Sequence, residues 1–195
     1  MDSQALDDVY TFWFGEDNSP NLMNPERIRW WMMQNDGTDH QVRSKFGHLI
    51  AQAARQDWNL CALSREQAVA LVVIFDQFPR NVYRTSGEAF AYDHLARDLA
   101  SRLTAHGWDG FTAMERFILG LPYVHHEDMA SQDLAVMLIS QTCVKAPGST
   151  LEHHRFDLDQ AIRHREVIRR FGRFPHRNQM LGRESTPEEL AFLET

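Results

Sequence analysis

The chain has 195 residues, 43% of them hydrophobic, which is enough to bury one substantial core. Its formal charge is −7, with 27 acidic against 20 basic residues, so a nonspecific grip on nucleic acid would need a strongly segregated basic face and is not expected. The longest apolar run, "AVALVVIF" (68–75), is too short to span a bilayer.

The opening segment "MDSQALDDVYTFWFG" has acidic residues where an export signal has basic ones, and its periodicity predicts a helix over 3–14. Phe12, Trp13 and Phe14, with Trp30 and Trp31 on a second predicted helix at 25–33, make an aromatic block read as core, with a ligand-stacking wall as the lesser reading. A third helix is predicted at 39–56. Cys61 follows, and Cys143 lies far from it outside any CxxC spacing, so neither a disulfide nor a zinc site is indicated and a reducing cytoplasm is expected.

"SREQAVALVVIFDQFPRN" (64–81) starts with Ser64 and Gln67 in capping-box spacing and contains Pro79, which predicts a helix over 65–77 ended by the proline. "GEAFAYDHLARDLASRLTAHG" predicts one helix over 87–106, closed by Gly107. Further helices are predicted at 110–119, 127–144, 156–171 and 186–194, the last begun by Thr186, Pro187 and Glu189. Pro147 and Gly148 make 146–150 the best loop or hinge. No strand pattern occurs. The expectation is an all-α fold in a single domain over 1–195: an irregular, tetratricopeptide-like array or bundle of about eight to nine antiparallel helices, without the tetratricopeptide consensus itself.

Two segments echo each other, "IFDQFPRN" (74–81) and "RFGRFPHRN" (170–178). In each, a phenylalanine (Phe78, Phe174) can anchor in the core while the proline fixes a turn, presenting Arg80 and Asn81 in one case, and His176, Arg177 and Asn178 in the other. Asp76 would sit near a helix C-terminus, where the macrodipole disfavours a carboxylate, so Arg80, Arg173 or Arg177 should compensate it. One reading is a structural clamp in which arginines pair with Asp76 and Glu184. The other is an anion pocket, with both turns converging on a carboxylate or phosphate. The two turns are expected to meet in space.

His125, Glu127 and Asp128 in "GLPYVHHEDMASQD" would stand at a helix start, where acidic residues are favoured by the dipole. His125 with Glu127 is a candidate acid/base pair. The same two with His164 or His176 could form a two-histidine, one-carboxylate metal set, but HExxH is absent and no metal is predicted. No dinucleotide, P-loop or hydrolase-elbow motif is present, so no cofactor is implied.

"VYTFWFG", "DQFPRN", "LPYVHHED", "RFGRFPHRN" and "LGRESTPEELAFL" together resemble the bacterial DUF924 family of uncharacterised proteins, along nearly the whole chain. The resemblance implies an all-helical, tetratricopeptide-like fold and no defined chemistry. Arg80, Asn81, His125, Glu127, Asp128, His176, Arg177 and Asn178 match the family pattern, while His126 stands where serine is common. Three functions follow as expectations: a pocket for a small anionic molecule, with catalysis left open; a noncatalytic scaffold for a protein or peptide; and a metal-dependent enzyme using His125 and Glu127.

Overall fold

The computed structural model describes residues 1–15, 25–32, 35–105, 107–145 and 151–194. Among these, every regular element is helical: α1 (Ser3–Phe14), α2 (Pro25–Met32), α3 (Asp36–Ala54), α4 (Arg65–Val82), α5 (Asp93–Thr104), α6 (Ala113–Val124), α7 (Met129–Lys145), α8 (Leu151–Phe171) and α9 (Pro187–Leu193), with short 3-10 turns at Leu60–Ala62, Gly87–Phe90 and Pro175–Arg177. The expected hinge at 146–150 lies outside the described residues.

The capping boxes read from the sequence form at α4 and α9: Ser64 and Gln67, then Thr186 and Glu189, exchange bonds between side chain and backbone. A third closes α6, where Thr112 pairs with the buried Glu115. The central element is α4, which packs against α1, α3, α5 and α6, while α7 and α8 pair with each other beyond α6. Its residues from Ala68 to Pro79 are all buried. The aromatic block is core at Trp13 and Phe14; Trp13 stacks on Trp31, and Phe78 meets both Trp13 and Phe46. No described helix is long and apolar enough to cross a membrane.

Two predicted boundaries are corrected. Pro79 does not end α4, which continues to Val82, and Pro122 lies inside α6. An interior proline costs about 3 kcal/mol. Both prolines fall in a last turn, where only one backbone bond is lost, and burial of Phe75, Phe78 and Pro79 holds α4 on course. The first echo segment is therefore helix and the second a 3-10 turn. The helix predicted over 87–106 is also divided: Ser86 caps a 3-10 turn at Glu88 before α5 begins at Asp93.

Candidate functional site

Because α4 continues through Pro79, Asp76 and Arg80 lie one turn apart on the same face. Asp76 is fully buried, accepts from Gln77 Nε2, and lies 2.8 Å from His125 Nδ1. Arg80 Nη1 stands 3.6 Å from the Asp76 carboxylate and also donates to the Asp76 backbone carbonyl. The same guanidinium grips Asp93 with two bonds, of 2.8 and 2.9 Å. Burial alone would raise the Asp76 carboxyl, but His125 and Arg80 outweigh it and bring it to about 2. Just beyond α4, Arg84 holds Asp39, and Asn81 Nδ2 donates to Asp39 at 2.8 Å.

His125 caps the C-terminus of α6 instead of starting a helix; α7 begins at Met129, with Asp128 accepting from the Ser131 N–H at 2.8 Å. The linking turn is fixed by Gln132, whose buried amide donates to the carbonyls of Tyr123, Val124 and His126, while Arg177 Nη1 donates to that of His125 at 3.0 Å. Burial and then Arg80 lower the His125 pKa, opposed by Asp76. With Nδ1 facing a carboxylate, the ring carries its proton there and leaves Nε2 as the basic nitrogen.

Glu127 is not the partner of His125. It accepts two bonds from Arg183, at 2.6 and 3.0 Å, and one from the Phe174 N–H at 2.8 Å. The expected His125–Glu127 acid/base pair is replaced by His125–Asp76, and Glu127 anchors the second echo segment. Among the described residues, no group of three or more histidines, cysteines, aspartates or glutamates gathers as a metal would require.

That anchor places Arg177. Its guanidinium lies between the rings of Phe90 and Phe174, at 4.4 and 4.5 Å, and 3.7 Å from the Asp93 carboxylate that Arg80 already holds. Its Nε is buried without a partner. Burial, then the proximity of Arg80, lowers its pKa to about 10. Asn178 points elsewhere, donating to Ser185 and Glu189. Arg173 likewise pairs with the carboxylate of Glu189 and takes only the backbone carbonyl of Glu184, so the expected Glu184 ion pair is corrected to Glu189, which Arg173 brings to about 2.

Two adjoining chambers open here. The outer, about 260 Å³, is lined by Arg80, Arg84, Phe90, His125, His164, His176 and Arg177. The inner, about 250 Å³, shares Arg80, Arg84, His125 and His164 with it and adds an apolar surface, with Trp31 and Phe117 stacked at 5.9 Å beside Leu121, Val124 and Ile139, interrupted by Gln77, Asn81 and Gln160. Burial, then Arg177 and His164, brings His176 to about 4, and burial also lowers His164. Asp157 lines the inner chamber, and burial raises it to about 7.

Arginines 80, 84 and 177 are balanced by aspartates 76, 93 and 39, so the cleft holds no simple surplus of positive charge. What distinguishes Arg177 is the absence of a carboxylate of its own. Asp93, Phe90, Gln132 and Asp157 were missed in the sequence. Asp157 had a readable signal: His154, Asp157, Ala161, His164 and Ile168 follow a three-and-four spacing, so the inward stripe of α8 carries polar groups where apolar ones are the rule.

Fold and cleft together define an all-helical protein with a polar-mouthed, apolar-floored cavity between α4, α6 and α8. Residues 9–195 match the family described as "Bacterial protein of unknown function (DUF924)", and the chain belongs to that family. It is similar to the solved structure of a protein of unknown function, ATU0120 from Agrobacterium tumefaciens, at 32% identity and a TM-score of 0.78 over 99% of both chains. A search of curated proteins returns no match.

Proposed function

We propose that the cleft binds a small molecule carrying a carboxylate or phosphate, and that His125, oriented by Asp76, transfers a proton to or from it. The observation that supports this reading is the junction itself: an underpartnered Arg177 guanidinium, clamped between two rings, beside a histidine whose other side is fixed by a buried carboxylate. The flat apolar body of such a molecule would rest on Trp31 and Phe117. Arg80, Arg84 and Asn81 are held by carboxylates, so they shape the mouth, and His176 contributes a neutral wall. Two free cysteines accord with a reducing, cytoplasmic setting.

The test is calorimetric titration with para-toluate, a planar carboxylate on an apolar ring. Arg177→Ala should weaken binding at least tenfold, whereas Arg65→Ala, which removes contacts to Glu66, Glu115 and the Gly110 carbonyl away from the cavity lining, should leave affinity within twofold. No saturable binding, or equal affinity in wild type and Arg177→Ala, would defeat the proposal. A second reading, a tetratricopeptide-like scaffold for a protein or peptide, draws on exposed Met137, Phe156 and Ile162 along α7 and α8. Its occupant would bind outside the cleft and be insensitive to Arg177→Ala.

A further inference from the structure

Asp157 is 8% exposed, faces the inner chamber, and among the described residues its carboxyl has no hydrogen-bond or ion-pair partner. Its oxygens keep surface open to the chamber, so the partner that a nearly buried carboxyl ordinarily finds in the protein can come only from what fills the cavity. The elements packed around it do not supply that partner. From α6 it shares a lining with Phe117, with Arg116 across a small void of about 10 Å³; from α7, with Ile139 and Thr142, and with Cys143 near enough to feel its charge, the thiol donating to the His154 carbonyl at 3.0 Å; along α8, with His154 and Gln160. Thr142 directs its hydroxyl to the Ile139 carbonyl at 2.6 Å. Neither Arg116 nor His154 forms an ion pair with Asp157, and burial is the sole cause of its raised pKa. The carboxyl thus lines the inner chamber, which it shares with Trp31, Phe117 and Ile139, and not the outer one, which Arg177 lines.

We infer that the cleft selects amphoteric ligands: a molecule with an anionic group at the Arg177 mouth, a flat apolar body, and at its other end a protonated amine or hydrogen-bond-donating nitrogen received by Asp157. This inference rests on the anionic-ligand reading and adds the far end to it. A carboxyl that is neutral in the empty cavity becomes an ionised acceptor when a cationic nitrogen arrives, so an amine end is rewarded and an apolar or anionic end is not. A ligand end without a donor would cover the carboxyl and supply no bond to it, and this asymmetry discriminates strongly between near-isosteric molecules.

The experiment compares para-(aminomethyl)benzoate with para-toluate, which differ only in the amine, by calorimetric titration of the intact protein at neutral pH. The amine, which is already protonated at neutral pH, should bind at least tenfold tighter and displace the Asp157 proton into the buffer, a net release read by repeating the titration in buffers of different ionisation enthalpy. Asp157→Asn, close to isosteric, should remove the amine's advantage over para-toluate. Binding of para-toluate with no advantage for the amine overturns this inference alone, as does an advantage that survives Asp157→Asn. Failure of both probes to bind overturns the anionic-ligand reading and this one with it.

Discussion

His125 and Asp76 meet at 2.8 Å across 49 residues of sequence, and Asp76 has no exposed surface. Neutralising Asp76 removes the charged acceptor of the His125 Nδ1–H, and a hydrogen bond to a charged group is worth about 1.5–3 kcal/mol. Asp76→Asn should therefore lower stability by about that amount in urea unfolding. It should also dissolve the preference for a proton on Nδ1 of His125 in nitrogen NMR. An unchanged tautomer would mean that Asp76 does not orient the ring.

The same carboxylate sets an acid limit. Its folded-state pKa of about 2 lies below the ordinary aspartate value of about 3.9, so its stabilisation is complete above that ordinary value and is lost as pH falls toward 2. Wild type should lose stability steeply through this window, and Asp76→Asn less so. Parallel curves would contradict the assignment.

Asp157 acts in the opposite sense. Its folded-state value of about 7 lies above the ordinary one, so the fold holds a proton that the unfolded chain has released, and stability falls as pH rises from about 4 to 7. His176, at about 4 in the fold, tilts the curve the other way below its ordinary value near 6.5. The difference between Asp157→Asn and wild type isolates the aspartate. It should grow in favour of the variant across that window and level off above it, by at most about 4 kcal/mol at 1.36 kcal/mol per unit. A difference independent of pH would refute the buried neutral acid.

Arg80 and Arg177 share Asp93, at 2.8 and 3.7 Å, so they cannot act independently. For para-toluate affinity, the effect of Arg80→Ala combined with Arg177→Ala should fall short of the sum of the single effects by more than about 0.5 kcal/mol, the usual limit of additivity for separate sites. Strict additivity would place the two guanidiniums in different sites.

Glu127 ties the second echo segment by its bonds to Arg183 and the Phe174 N–H. Glu127→Ala should cost about 1–3 kcal/mol and speed hydrogen exchange at Phe174 at least tenfold. Unaltered exchange there would show that the clip does not position Arg177.

Much of the helical framework was legible because caps are local: Ser64 with Gln67 and Thr186 with Glu189 announce themselves within four residues. Pro79 and Pro122 misled for the converse reason, since the burial that carries each helix through its proline comes from elements distant in sequence. Within the site, the echo drew attention to Arg80 and Arg177, and the histidine pair to His125. Their partners did not follow, because nothing in the spacing of Asp76, Asp93 and Glu127 says which cation each will face after packing. Glu127 looked catalytic through its neighbour in sequence, whereas its neighbour in space is Arg183. Asp157 was legible in principle as a polar residue on the inward stripe of α8.

The complete burial of Asp76 has a kinetic side. Its carboxylate touches no solvent, and among the described residues it faces the Gln77 amide N–H, the Arg80 guanidinium and the His125 imidazole, of which only the imidazole both gives and takes protons, so that ring is the port through which the pair gains or loses one. A molecule seated against that ring would shut the port. The charge of the pair would then be trapped at its value on entry, and proton exchange could proceed no faster than the occupant leaves.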